Sequence, residues 1–145
     1  MIEQLFVVIA NEQVLQFMFK NAHWNLTDTG FLELHKFFDE QFDNTISNID
    51  TMSERVRQLG EKIPFNVEFL FKHNLTTTNL FDGLNENKSE FVSKLCNLLE
   101  ETIHQLKYVL SFVDSVDSSD TTTNDIIIQI IRQKEKSLWL LKSNL

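Results

Sequence analysis

Glycine and proline are nearly missing from this chain, with three Gly and a single Pro, Pro64, in 145 residues. So few interruptions exclude a fold built on many tight turns and favour long helices joined by few loops. Cysteine is as scarce: Cys96 alone cannot form an intramolecular disulfide and reads as a buried helix residue rather than a reactive thiol. No Lys or Arg precedes Lys20, and the formal net charge is −8. That balance argues against a basic nucleic-acid-binding arm and makes cations the natural guests. Met1-Ile2-Glu3-Gln4 is not the positively charged start of a secretory signal, and the longest early apolar run, Leu5 to Ala10, is too short to cross a bilayer. A cytoplasmic chain with no membrane span is expected, in which the Asn-x-Ser/Thr triplets beginning at Asn25, Asn74 and Asn87 carry no sugar.

What the chain does contain is apolar bulk at helical spacing. Hydrophobic residues make up 42% of it and 13 are Phe, enough for one domain, residues 1–145, with a substantial core. Ile2, Leu5, Phe6 and Ile9, continued by Leu15, Met18, Phe19 and Ala22, predict a first helix over 2–26, ended by Thr27-Asp28-Thr29-Gly30. Phe31, Leu34, Phe38, Phe42, Thr45, Ile49, Met52, Val56 and Leu59 predict a second over 31–59, with Gly60 as its stop. Pro64, Thr76-Thr77-Thr78 and Asp82-Gly83 mark a long connection carrying one short helix. A third helix over 86–114 is carried by Phe91, Leu95, Leu98, Thr102, Leu106, Val109 and Val113. The fourth, over 124–144, has Ile127, Ile131, Leu138, Leu141 and Leu145 on one side, interrupted by Lys134. Four helices with one long central link imply an all-α bundle with an up-down, crossover, down-up course.

Chemistry is concentrated on the second helix. At about 100° per residue, Asp39 lies roughly 40° round from His35, Asp50 about 60° and Glu54 about 100°, so the four share a stripe, with Asp43 and Ile46 on it too. The stripe centres about 110° away from the helix's apolar series and therefore flanks the core. His35 and Asp50 are nevertheless separated by about 22 Å of helix, far beyond one coordination sphere. Two such helices crossing antiparallel about a twofold axis bring the His35/Asp39 end of one to the Asp50/Glu54 end of the other, making two identical sites. Carboxylates with imidazole suit iron, and the same donors also accept zinc or manganese. Either i,i+4 pair alone reads as an ordinary solvated face. The second pair on the same stripe, with His23 just before the turn, shifts that balance towards a metal site at a homodimer interface.

His23-Trp24-Asn25, Gly30-Phe31, Leu34-His35-Lys36-Phe37-Phe38-Asp39-Glu40, Asp50-Thr51-Met52-Ser53-Glu54-Arg55 and Leu59-Gly60 together resemble the signature of the Dps family, the DNA-protection-during-starvation proteins or mini-ferritins. A weaker likeness runs through Thr123-Asn124-Asp125 and Glu135-Lys136 to Trp139-Leu140-Leu141, so the resemblance covers nearly the whole chain. It implies a ferritin-like four-helix bundle assembled into a hollow homododecamer, with ferroxidase centres at the twofold interfaces and a mineral core inside. By position in the motif, His23, His35 and Asp39 come from one subunit and Asp50 and Glu54 from its mate. Trp24 would lie near the iron or pack the interface. The implied reaction is oxidation of Fe(II) by hydrogen peroxide, or by dioxygen, followed by storage of Fe(III) in the cage. Carboxylates near the start of the last helix line pores in such cages; Asp125 matches best, with Asp120 and Asp117 weaker, and helix capping by Asn124 or Asp125 is the plainer alternative.

Two other signals carry less. Glu101-Thr102-Ile103-His104 has the spacing of an intra-bundle di-iron motif but no matching tetrapeptide on the second helix, so a surface or inter-helix role is expected. His73 reads as a loop residue. Family members that bind DNA directly often use a Lys/Arg-rich extension, and this chain begins almost at its first helix and finishes within its fourth, so strong direct DNA binding is not expected. Bridging cations or a local basic patch leave a weaker route. Two competing functions follow: a dodecameric, nucleoid-associated structural protein whose metals stabilise assembly, and a helical interaction module with a solvated stripe.

Overall fold

Five helices, and no strand among the described residues, follow one another in the computed structural model: α1 (Ile2–Asn25), α2 (Phe31–Gln58), α3 (Val67–His73), α4 (Lys88–Val116) and α5 (Thr121–Lys142). The structure describes residues 1–27, 29–74, 76 and 87–145, so the turn and connection signals at Asp28, Thr77-Thr78 and Asp82-Gly83 lie outside the described residues. The four long helices form the bundle, and α3 is the short helix expected in the connection.

Helix α1 is apolar nearly all round its first half, and it is accordingly the innermost helix, packed against α2, α3 and α4. Helix α2 is one-sided: Leu34, Phe38, Thr45, Met52 and Val56 are buried, as the apolar series predicts, although Phe31 at its start is exposed. The α1–α2 turn needs Gly30, whose φ of 81° puts the residue before α2 in the left-handed region. Gly60, with φ 94°, follows the end of α2 as expected of a stop.

The core is two apolar clusters end to end with a polar layer between them. One holds Leu15, Phe19, Phe38, Phe91, Leu95 and Leu98; the other holds Leu5, Ile9, Met52, Val56, Leu106, Val109 and Ile127. Between these stretches each long helix contributes buried polar residues: Asn11 and Glu12 from α1, Gln41 and Thr45 from α2, Thr102 from α4, Lys134 and Ser137 from α5. Glu12 and Lys134 are 1% and 0% exposed and form an ion pair of 2.8 Å. Asn48 Nδ2 donates to the same Glu12 oxygen at 2.9 Å and to Gln133 Oε1 at 2.6 Å, while Ser137 Oγ donates to Gln41 Oε1 at 2.5 Å. The contact with Glu12 Oε2 is an ion pair rather than a well-aligned hydrogen bond, since Lys134 Nζ has no hydrogen-bond partner among the described residues; Glu12 Oε1, the other oxygen, has none either. Lys134 is thus no interruption of the buried face; it is its most deeply buried charge.

Several boundaries differ from the periodicity. Helix α4 continues to Val116, and α5 starts at Thr121 rather than 124, because Asp120 is the N-cap: it accepts from the Thr123 amide at 2.9 Å and the Thr123 hydroxyl at 2.6 Å. Asn124 and Asp125 therefore lie inside the helix and do not cap it. Leu145, placed on the apolar side by spacing, lies past the helix end and is exposed. His73 is not a loop residue either; it ends α3, buried beside Phe6 and Phe69, with Nδ1 3.4 Å from Glu3 Oε2. Cys96 is buried on α4, and Glu101 and His104 are exposed there.

Arg55 joins α2 to the start of α5, donating to Asp120 Oδ1 and Thr123 Oγ1, both at 2.8 Å. Burial alone would push the Asp120 carboxyl up, but the Thr123 bonds and the Arg55 guanidinium outweigh it and hold the group below the usual carboxylate range. A depressed folded pKa gives stability that is present above the unfolded value and lost as pH falls through the folded one. Asp120→Ala is expected to lose about 1–2 kcal/mol near neutral pH. In urea unfolding, its deficit against wild type should shrink below the normal carboxylate range; a deficit constant with pH would contradict the ion-pair account.

Candidate metal centre

Helices α1 and α2 meet at the Gly30 turn, and there His23 and His35 stack face to face, with ring centroids 3.7 Å apart and planes 20° apart. Each ring bonds the other's backbone: His23 Nδ1 lies 2.7 Å from the His35 carbonyl oxygen, and His35 Nδ1 lies 2.7 Å from that of His23. A carbonyl oxygen can only accept, so both Nδ1 atoms must carry the proton. In the neutral rings both Nε2 atoms then present a lone pair, the arrangement in which a second bond orients a metal-binding imidazole.

Asp39, one turn beyond His35 on α2, points to the same end, with Oδ1 3.9 Å from His23 Nε2. Lys20 donates to that oxygen at 2.7 Å. This hydrogen bond chiefly holds the Asp39 carboxyl below its usual range; burial opposes it, and the charge of Lys20 and, less, those of His23 and His35 add to the lowering. Asp39 is therefore an anion throughout the neutral range.

Asp50 and Glu54 stand exposed towards the other end of α2, with Asp43 and Ile46 exposed between the two ends. The stripe thus lies outside the core, as the angular argument requires. Among the described residues, no three His, Cys, Asp or Glu side chains of one chain come close enough together to hold a metal. The structure brings His23, His35 and Asp39 together and leaves Asp50 and Glu54 apart from them.

The surface around the stripe is apolar for an exposed face. Phe17, Trp24, Ile46 and Phe65 are exposed on this side, and Trp24, next to His23, is 67% exposed. A groove of about 550 Å³ beside Asp50 is lined by Ile46, Ile49, Ile63 and Phe65, and another of about 660 Å³ by Phe17, Lys20, Trp24 and Phe42. At the start of α5, Asp125 is exposed and accepts from Gln129 at 2.7 Å, Asp117 accepts from Ser119 at the end of α4, and Asp120 is engaged by Arg55 and Thr123. Lys20 and the Glu12–Lys134 pair were not singled out from the sequence. Lys20 lies three residues before His23, a spacing that puts both on one helix face and was available as a signal.

An all-α bundle with a long link between its second and third long helices, and a histidine–carboxylate cluster where the first two meet, has the architecture of ferritin-like proteins. The chain belongs to the ferritin-like family: the family model described as "Ferritin-like domain" matches residues 2–145. Within it, the chain is similar to the "DNA protection during starvation protein" of Brevibacillus brevis, 29% identical over 147 residues covering 98% of this chain and 95% of that protein. It is also 29% identical to General stress protein 20U of Bacillus subtilis over 138 residues, covering 94% and 91% of the two chains. A C-terminal deletion mutant of Mycobacterium smegmatis Dps superposes with a TM-score of 0.88 over 99% of this chain and 96% of its own, at 17% identity. The Dps protein of Vibrio cholerae, described as a member of a broad superfamily of ferritin-like diiron-carboxylate proteins, gives 0.83 over 97% and 85% at 23% identity. The resemblance to Dps proteins read from the sequence motifs is borne out.

Proposed function

We propose that this protein is a ferroxidase and iron store that consumes peroxide, with its reaction centres shared between two copies of the chain. The observation that carries this reading is the His23–His35 clasp. It engages both Nδ1 atoms and leaves both Nε2 atoms free towards one end of α2, with the Asp39 carboxylate 3.9 Å from that of His23, while Asp50 and Glu54 stand exposed at the other end. An antiparallel crossing of two α2 helices joins the two half-sites, and the exposed Trp24, Phe17, Ile46 and Phe65 supply apolar surface for that contact. Trp24, next to His23 in the chain, would lie near the joined site or pack the contact between the two copies. The diiron-carboxylate description of the superfamily of the Vibrio protein supports iron as the substrate.

In the reaction, two Fe(II) ions each give up one electron, the O–O bond of one hydrogen peroxide breaks, and two protons are taken up to leave two waters. Removing Fe(II) and peroxide together suppresses hydroxyl-radical formation. The chain's own contribution is positional and electrostatic: His23 and His35 offer Nε2 atoms whose direction the backbone sets, and the carboxylates offset charge as Fe(III) forms. Twelve subunits would enclose the mineral in a cage, with Asp125, exposed on the first turns of α5, as the acid best placed to line an iron entry. Asp120 and Asp117 are weaker candidates by position, and Asp120 is already paired with Arg55. No helix among the described residues is long and apolar enough to cross a membrane, in keeping with the cytoplasm as the compartment proposed.

Mixing the metal-free protein anaerobically with Fe(II) and then adding peroxide tests this. The expected outcome is fast oxidation into a soluble mineral, peroxide used in the ratio of one per two iron ions, and a particle of twelve subunits. A cage without oxidation, retarding DNA at physiological salt without added divalent metal, would favour the structural DNA-associated alternative. A monomer without metal affinity would leave only a helical interaction module.

A further inference from the structure

Side chains from three helices meet at one oxygen in the polar layer. Glu12 Oε2 on α1 lies 2.8 Å from Lys134 Nζ on α5 and accepts from Asn48 Nδ2 on α2 at 2.9 Å. Because a carboxylate oxygen only accepts, the Asn48 amide must turn its nitrogen towards Glu12, and its second N–H goes to Gln133 Oε1 at 2.6 Å. Lys134 is fully buried, its nitrogen 6.0 Å from the centroid of the Phe19 ring and held by no hydrogen bond among the described residues. A primary amine kept from water beside a carboxamide, with one carboxylate oxygen touching both nitrogens, has the parts of an acyl transfer: nucleophile, electrophile and proton carrier.

We propose that Lys134 and Asn48 join in the folded chain as an intramolecular amide, with Glu12 carrying the proton. The ion pair is the state before reaction. The bond from Lys134 Nζ to Asn48 Cγ forms and the Cγ–Nδ2 bond breaks. Lys134 gives up two protons: one passes through Glu12 Oε2 to Nδ2, which leaves as ammonia, and the other stays on Glu12. No further reagent enters the balance. The exchange removes two desolvated charges from the middle of the bundle. Asn48 is only half-buried, so the ammonia leaves from the side of the layer nearest solvent. The link ties α2 to α5 and constrains the unfolded chain as a disulfide would, in a sequence whose one cysteine, Cys96, cannot supply one.

Intact-mass measurement of the assembled protein, fresh and after days at neutral pH, tests this. Wild type is expected to lose one ammonia per chain, about 17 Da, as the amide forms. Trypsin should then release a branched peptide of residues 37–55 and 133–136, since it does not cleave after an acylated Lys134. Asn48→Ala, which leaves the ion pair in place, should keep its full mass. Glu12→Gln should form the branch at least about 100-fold more slowly for want of the proton carrier. Wild type at full mass after incubation overturns the proposal. So does a loss of ammonia without the branched peptide, which is the mark of an asparagine cyclising on its own backbone, and so does a loss that persists in Asn48→Ala. A branch formed at the wild-type rate in Glu12→Gln refutes the part assigned to Glu12.

Discussion

A mixture of two inactive variants is expected to regain activity. His35→Ala/Asp39→Ala lacks one half-site and Asp50→Ala/Glu54→Ala the other, and each alone should oxidise Fe(II) at least about 100-fold more slowly than wild type while keeping its helices and particle mass. In assemblies formed by co-expressing equal amounts of both, half of the twofold pairs combine one copy of each. One of the two centres in every such pair then joins an intact His35/Asp39 end to an intact Asp50/Glu54 end. The active centres should number about a quarter of the wild-type count. Fe(II) oxidation rate per subunit, measured on the mixed particle and on separately assembled variants combined afterwards, is the readout. No gain over the separate variants would rule out a centre shared between copies, since a site held within one chain cannot be repaired in this way. The separation of Asp50 and Glu54 from the histidine cluster within one chain is the reason to expect rescue.

Lys134→Met is expected to lower stability by about 3–5 kcal/mol, because it leaves the Glu12 carboxylate uncompensated at 1% exposure in the middle of the bundle. For a chain of this size, that corresponds to a melting midpoint lower by roughly 10 °C, compared at equal protein concentration. Glu12→Leu should cost a similar amount by leaving Lys134 buried without its partner. The double variant is expected to recover most of the loss and can exceed wild type, since two apolar side chains in that layer need no desolvated charges. The pair lies between two apolar clusters of the same helices, where Asn48 links Glu12 to Gln133. A double variant as unstable as the sum of the single ones would contradict this account. Single variants within about 1 kcal/mol of wild type would show that the pair is not buried as described.

How much of this was legible beforehand follows from the range of the interactions involved. The stripe on α2 could be drawn from a repeat of 3.6 residues, because which side chains share a helix face is a local property; the exposed Asp43, Ile46, Asp50 and Glu54 sit where the angles put them. The same reasoning failed at Lys134, where a charge in an apolar series reads as a break until Glu12, on a helix far away in sequence, is found against it. His73 and the start of α5 were misjudged alike: the burial of the histidine depends on Phe6 of α1, and the Asp120 cap that replaces Asn124 or Asp125 is strengthened by Arg55 of α2.

By itself the amino-acid sequence determined four long helices, the short helix of the connection, the one-sidedness of α2, and two opposed ends of a polar stripe too far apart to meet in one chain. Those are consequences of periodicity, of scarce Gly and Pro, and of motif identity, all carried by neighbours in the chain. Only the tertiary structure decided that His23 and His35 clasp each other's carbonyls and so present Nε2, that Lys20 holds Asp39, and that Glu12 and Lys134 share the centre of the bundle. Each depends on which atoms of different helices come within about 3 Å, a distance set by packing and beyond the reach of any helical repeat.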